Sequence, residues 1–354
     1  MHIVFDNIIF SLQRSGGGSR VWANIIQPHL LETDTISIER PDAIGNLYRK
    51  ELFSPVIRPD HALPLRLARY CNFNQDFVKS APYIFHSSYF RVNTSRNCIN
   101  VTTVHDMVYE KYSSGLGAWI HNRQKKYALQ NSDVIVCISE HTKQDLLQFY
   151  PFCSGKHLLV IPNGVDQRTF MVANSYETKF APRPYFLYIG HRAYLKGFHI
   201  VFDALDRISE EFECVVVGSP FTDKEVALIN KRTLGNRIKN IGRISDTELA
   251  SYYSNASFFF FPSLYEGFGI PPLEAMAARC PVVAANRSSI PEVVGEAAIL
   301  FDPDDFQSLE SALKRVQDDS IRQDLIQKGV ERLSHFTSQS SASAYTELYK
   351  ELLA

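Results

Sequence analysis

A chain of 354 residues, 45% hydrophobic and 21% charged, has room for two ordinary domains and the composition of a globular protein. Its net charge of −1 gives no footing for nucleic acid as a partner, and no apolar run nears the roughly 20 residues a spanning helix needs. Six scattered cysteines without a Cys-x-x-Cys pair argue for buried thiols in a reducing cytoplasm and against a zinc or disulfide framework.

The opening Met-His-Ile-Val-Phe-Asp-Asn reads as a short strand without a basic leader or cleavage site, so no signal peptide is expected. Strand-like runs recur between helical patterns at 3–5, 83–86, 100–104, 134–139 and 158–161. A second series follows at 185–189, 213–217, 238–241, 257–262 and 281–285. Strands alternating with helices predict parallel sheets covered on both faces, so the fold class is α/β with two doubly wound domains. Between the series, 162–166 and the polar stretch running to Pro184 read as a linker. At 338–353, Ala342, Tyr345, Leu348, Tyr349 and Leu352 share one face of a closing amphipathic helix. Residues 1–170 carry 18 Lys/Arg against 14 Asp/Glu, a balance that suits either an anionic acceptor or a membrane surface, or is only solvated charge.

The residues that carry chemistry lie where strand-like runs give way to helical ones. After a strand-like 8–12, Ser15-Gly-Gly-Gly-Ser19 precedes a helical pattern, and its amides could reach a phosphate at a helix start, or the run is a flexible loop. His105 ends the run Thr102-Thr-Val-His-Asp106, where it contacts a substrate hydroxyl, acts as an acid or base, or is merely structural. Arg192 and Lys196 stand four apart in Tyr188-Ile-Gly-His-Arg-Ala-Tyr-Leu-Lys-Gly197, an arrangement able to neutralise a departing diphosphate; the spacing is not that of a Walker A loop. Glu266 and Glu274 have seven residues between them, behind the apolar run 257–261. Gly267 and Gly269 permit close backbone approach, and Pro271 and Pro272 suit the first positions of a helix, which would put Glu274 in its first turn. Carboxylates accept pairs of hydrogen bonds and match the vicinal hydroxyls of a ribose or hexose. Asp302-Pro-Asp304 reads as a turn rather than a metal site.

Together these segments resemble the family-4 retaining glycosyltransferases of the GT-B fold. The resemblance runs through the glycines at 16–18, TTVHD at 102–106, ISEHTKQDLL at 138–147, VIPNGVD at 160–166, YIGHRAYLKGF at 188–198, FPSLYEGFGIPPLEAM at 261–276 and SSIPEVVGEAAILFDPDD at 288–305. HSSYFR at 86–91 looks like a subgroup used in bacterial surface-polysaccharide assembly, such as O-antigen or capsule. The resemblance implies two Rossmann-like domains facing across a cleft, an acceptor domain over 1–167 and a nucleotide-sugar domain over 168–335, with a helix at 336–354 returning to the first. It also implies that Glu274 holds the ribose hydroxyls, Glu266 the donor-sugar hydroxyls, and the backbone from Gly267 through Phe268, Gly269 and Ile270 runs along sugar and phosphates. Arg192 and Lys196 would clamp the diphosphate, Gly16 and Gly17 approach it, His105 reach the sugar, and the loop at Arg243-Ile244 receive the base. Many relatives place Asn after the motif lysine, where this chain has Gly197.

The expected function is retaining transfer of a hexose from a UDP- or GDP-sugar to a hydroxyl of a lipid-linked bacterial glycan. No bound metal or other cofactor is expected, and the location is cytoplasmic, with peripheral association at the inner face of the membrane. No residue stands out as a nucleophile, which favours front-face displacement over a covalent intermediate. The rivals are another GT-B activity, such as a nucleotide-sugar epimerase or a phosphorylase, and a non-catalytic glycan-binding scaffold.

Overall fold

The computed structural model describes residues 1–32, 34–54, 56–79, 81–171 and 183–354. The chain forms two units, Met1–Gly164 with Ser338–Ala354, and Val165–Thr337. Most of the polar stretch expected as a linker, 172–182, lies outside the described residues.

The first unit is built on a seven-stranded sheet. Its strands are β1 (Ile3–Asp6), β2 (Thr35–Glu39), β3 (Ile57–Pro59), β4 (Tyr83–Ser87), β5 (Cys98–Val104), β6 (Val134–Cys137) and β7 (His157–Val160), in the order β3-β2-β1-β4-β5-β6-β7. The second unit holds six strands: β8 (Tyr185–Ile189), β9 (Glu213–Val217), β10 (Ile238–Gly242), β11 (Phe258–Phe261), β12 (Val282–Ala285) and β13 (Ala298–Phe301), in the order β10-β9-β8-β11-β12-β13. Every named pairing is parallel. Helices occupy the crossovers, as parallel pairing requires. Each sheet is Rossmann-like. The run Phe258-Phe-Phe-Phe261 shows why the strands form: all four rings are buried, so both faces of β11 need cover. Burial of such a ring contributes roughly 2–3 kcal/mol, enough to hold a four-residue strand in the middle of the sheet.

Three strands were not among the expected runs. Thr35-Ile-Ser-Ile-Glu39 alternates polar with apolar residues and is nevertheless buried, because the Ser37 hydroxyl meets that of Ser54 and the Glu39 carboxylate accepts from Asn7 and Arg49. β3 is a three-residue edge strand ending in Pro59, a residue the edge tolerates. β13, at one edge of the second sheet, is an apolar run, Ala298-Ile-Leu-Phe301, that the sequence reading did not assign as a strand. One expected strand is corrected: 8–12 contains a short helix, Ile9–Leu12, whose first N–H is bound by the Ser88 hydroxyl.

Charges inside the first unit are paired. Arg91 is fully buried against Asp6 and Asp60, and Ser87 and Ser88 bond the side chain and carbonyl of Asp6. The segment 86–91 is therefore an internal tie between β1 and β4. The closing helix Ser338–Leu353 packs within this unit through Tyr345 and Tyr349, whose hydroxyls bond Thr103 and His86. Burial pushes His86 down to about 3, so it stays neutral at neutral pH.

Candidate active site

In an open parallel sheet, ligands settle at the carboxyl edge where the strand order reverses. In the second unit that point lies between β8 and β11, whose neighbours run to β9 and β10 on one side and β12 and β13 on the other. The two loops leaving it are 190–197 and 262–269, and they carry Lys196 and Glu266. Glu274 follows on the helix after the second loop.

The two loops touch through their backbones. Leu264 N–H donates to the Leu195 carbonyl at 2.8 Å. Gly197 sits at φ +66°, and a Cβ there would lie 1.9 Å from the Pro262 carbonyl oxygen. Only glycine fits, which gives a physical reason for Gly197 where relatives often carry Asn. The close approach brings Lys196 Nζ to 2.7 Å from Glu266 Oε1. The Tyr188 hydroxyl holds the first loop by donating toward the His191 and Lys196 carbonyls. The second is pinned by Ser288, which accepts from Glu266 N–H, and Ser289, which donates to the Glu266 and Phe268 carbonyls. The sequence reading left these two loop-holding serines unassigned within SSIPEVVGEAAILFDPDD.

Two helix starts flank this point. Phe198–Arg207 begins after Gly197, and Ile270–Ala277 begins after Gly269 at φ +103°; neither has a side-chain cap. Pro271 and Pro272 stand second and third in the latter helix and have no N–H to satisfy. Helix starts carry partial positive charge, and Phe198–Arg207 offers amide donors to an anion, whereas in Ile270–Ala277 only Ile270 among the first three residues has an N–H. The helix bounds also correct one expectation. Because Ile270 is already helical, Glu274 lies in the second turn, not the first, and is 6% exposed with the Tyr253 hydroxyl donating to its carboxylate. A buried second-turn Glu gains little from the helix dipole, which weakens the reading of Glu274 as a helix stabiliser.

Arg192 does not stand free beside Lys196. Its Nε and Nη2 meet Glu225 at 2.6 and 3.1 Å, Nη1 and Nη2 donate to the Ser219 and Pro220 carbonyls, and the guanidinium lies over the rings of Phe198 and Phe221. Burial tends to raise the Glu225 carboxyl, but hydrogen bonds from Arg192 and Thr222 outweigh it and hold its pKa below the usual range. Arg192 thus fastens the loop after β9, leaving Lys196 as the motif cation beside the glutamate loop. Ile244 lies half-buried between β10 and the helix Asp246–Asn255, at the same carboxyl edge. Arg287 bridges Asp302 and Asp304 at 2.7 and 2.6 Å, so this acidic pair holds a guanidinium.

In the first unit the order reverses between β1 and β4. Gly16 precedes the helix Gly17–Ile26, which also lacks a side-chain cap, and the Ser19 hydroxyl returns to the Gly16 carbonyl. His105 follows the last residue of β5 and is half-buried; desolvation lowers its pKa, favouring the neutral ring. Each expected residue therefore sits at the carboxyl edge of its own sheet.

Two family models match the chain side by side. Glycosyltransferase Family 4 matches residues 19–168 and Glycosyl transferases group 1 matches 175–332. O-antigen chain mannosyltransferase B of Escherichia coli is 26% identical over 291 residues, spanning 76% of this chain and 74% of that protein. O-antigen chain mannosyltransferase RfbU of Salmonella typhimurium is 28% identical over 219 residues, 61% of this chain and 60% of its own length. Among solved structures, sucrose-phosphate synthase from Thermosynechococcus elongatus superposes with a TM-score of 0.75 at 20% identity, covering 99% of both chains. Anabaena Alr3699/HepE in complex with UDP-glucose gives 0.75 at 17% identity, covering 99% of this chain and 100% of that one.

Proposed function

The chain belongs to the group 1, family-4 glycosyltransferases, and from that premise we propose that it transfers a hexose, with retention, from a UDP- or GDP-sugar to a hydroxyl of a lipid-linked bacterial glycan. Two of its relatives are named for mannose and the O-antigen, which favours mannose as the hexose and an O-antigen intermediate as the acceptor. The observation that carries the reading is the switch point of the second sheet, where a Lys–Glu pair lies between two helix starts without side-chain caps.

On this reading the donor breaks the Lys196–Glu266 pair and rebonds both partners. Lys196 turns to the diphosphate and Glu266 to hydroxyls of the hexose. The amide groups from Gly267 to Ile270 lie along sugar and phosphates, Glu274 takes the ribose hydroxyls, and the backbone at Ile244 receives the base. His105 contacts the transferred sugar, and Gly16 and Gly17 approach the phosphates. The charge that develops on the departing diphosphate is met by Lys196 and the helix starts, and the diphosphate oxygen assists the acceptor hydroxyl on the same face of the sugar. Arg192, already bound to Glu225, serves by holding the neighbouring loop in place. The chemistry runs without a resident metal, in the cytoplasm at the membrane face; no helix among the described residues is long and apolar enough to cross a membrane.

Incubation with a panel of UDP- and GDP-hexoses and a lipid-linked acceptor is expected to release one nucleoside diphosphate, with the anomeric configuration kept in the product, in the presence of EDTA. Folded protein that turns over no donor, or an inverted product, overturns the reading.

A further inference from the structure

The helix Leu116–Asn131 of the first unit buries one face and leaves the other without cover. Ala118, His121, Gln124, Lys125, Ala128 and Leu129 face inward. Leu116, Trp119, Arg123 and Tyr127 follow one another at intervals of three and four, which places them on a single stripe. On that stripe Leu116 is 72% exposed, Trp119 58% and Tyr127 42%. Tyr109 and Tyr112 are also exposed, on the short helix Val108–Tyr112 that precedes it. The composition of the helix is as telling as its exposure: sixteen residues contain no Asp or Glu. Arg123 lies over the Trp119 ring, and neither Arg123 nor Lys126 has an acidic partner among the described residues.

Large apolar side chains in water normally mark a surface meant to be covered. Aromatic and leucine side chains mixed with uncompensated cations fit one kind of cover best. We propose that this face lies on the surface of a bilayer containing anionic phospholipid, with Leu116 and Trp119 entering the headgroup–acyl boundary and Arg123 and Lys126 meeting lipid phosphates. A protein partner or a second copy would need acidic groups to answer those cations, and the face itself supplies none. The inference rests on the proposed lipid-linked acceptor and gives it a location. The same helix reaches inward through Lys125, whose Nζ donates to the Asp106 carbonyl at 3.1 Å and to Glu110 at 2.9 Å. Asp106 directly follows His105, so the face that meets lipid is bonded, through one side chain, to the segment proposed to meet the transferred sugar.

The chain has two tryptophans, which makes the test direct. Trp22 is 2% exposed, so a change in emission on adding vesicles reports Trp119. The full-length protein is mixed with vesicles of phosphatidylcholine alone or with phosphatidylglycerol, and followed by flotation and by tryptophan emission. Binding to the anionic vesicles, a blue shift, and weakening with salt are expected. Leu116→Ser with Trp119→Ser should lower the vesicle affinity about tenfold or more. Arg123→Gln and Lys126→Gln should lower it about fivefold each. All four positions lie on the surface, and circular dichroism confirms the fold of each variant. The proposal is overturned if the wild type ignores anionic vesicles, or if the Leu116/Trp119 variant binds them as well as the wild type. It is equally overturned if binding is lost only on changing the other exposed apolar stretch, as in Phe53→Ser with Leu67→Ser. A wild-type dimer that the Leu116/Trp119 variant dissociates would assign the face to self-association instead. Transfer to a detergent-dispersed acceptor separates this surface from the activity: it should survive the Leu116/Trp119 change, and its absence in the wild type would count against the activity alone.

Discussion

Within the second sheet, the helix starts at the switch point differ from those beside it. The helices Asp223–Lys231 and Asp246–Asn255 are each closed by a capping box, Thr222 with Glu225 and Ser245 with Glu248. Phe198–Arg207 and Ile270–Ala277 have glycines with positive φ at the cap position and no capping side chain. Glycine at a cap position costs only about a few tenths of a kcal/mol against a capping side chain, and Pro271 and Pro272 have no N–H to satisfy, so the two starts represent a small loss of stability. Where a ligand supplies the missing acceptor oxygens, that loss is recovered on binding. The contrast divides the sheet edge into a part closed by its own side chains and a part whose helix starts have no side-chain acceptor.

The sharpest way to break that division is Lys196→Ala, which removes the cation from the open part. We expect kcat to fall on the order of 10²-fold at saturating donor, measured by nucleoside diphosphate release; an unchanged kcat would show that Lys196 does not meet the leaving group. Gly197→Ala attacks the geometry, since its methyl must displace the Pro262 carbonyl and separate the two loops. A fall in kcat/KM of about 10²-fold is expected, and retention of full activity would mean that the Lys196–Glu266 juxtaposition is dispensable. Glu274→Ala should act on binding, raising donor KM about tenfold while kcat changes little, because ribose contacts are nearly uniform along the reaction; a selective loss of kcat would move Glu274 into the chemistry. Arg192→Ala sharpens the comparison from the other side. As a member of the closed part it should cost stability, about 2–3 kcal/mol in urea titration, with a smaller kcat effect than Lys196→Ala. Equal kcat losses for the two would restore Arg192 as a clamp. Thr222→Ala, in the closed part, should lower stability by about 1 kcal/mol and leave donor kinetics alone.

Much of this arrangement was legible in the sequence, and the failures have physical causes. Continuous apolar runs located the central strands to within a residue or two because a strand buried on both faces has no polar positions to blur it. The edge strands β7 and β10 were found, whereas polar β2 was missed because its hydrogen-bonding partners, such as Ser54 for Ser37, come from elsewhere in the chain. The Lys196–Glu266 region was legible as two separate motifs. Their direct pairing was not, since 70 residues separate them and it is the pairing of β8 with β11 and the backbone contacts of the two loops that bring them together. The ion pair of Arg192 was illegible for a related reason. Its partner Glu225 belongs to a capping box 33 residues away, and a local Arg–Lys spacing holds no trace of that competitor. Glu274 moved by one residue, from the end of the first turn to the start of the second, because the helix begins at Ile270 rather than at the prolines.

The return of the last helix to the first unit has a consequence for how the protein is made. On the ribosome, residues 165–337 emerge as one uninterrupted piece that owns its whole sheet, whereas residues 1–164 must wait for Ser338–Ala354. Until then His86 lacks the Tyr349 hydroxyl, Thr103 lacks that of Tyr345, and the apolar seat of both tyrosines faces water. The usual order of vectorial folding, N-terminal part first, is therefore reversed at its final step: the earliest synthesised unit is the last to be finished.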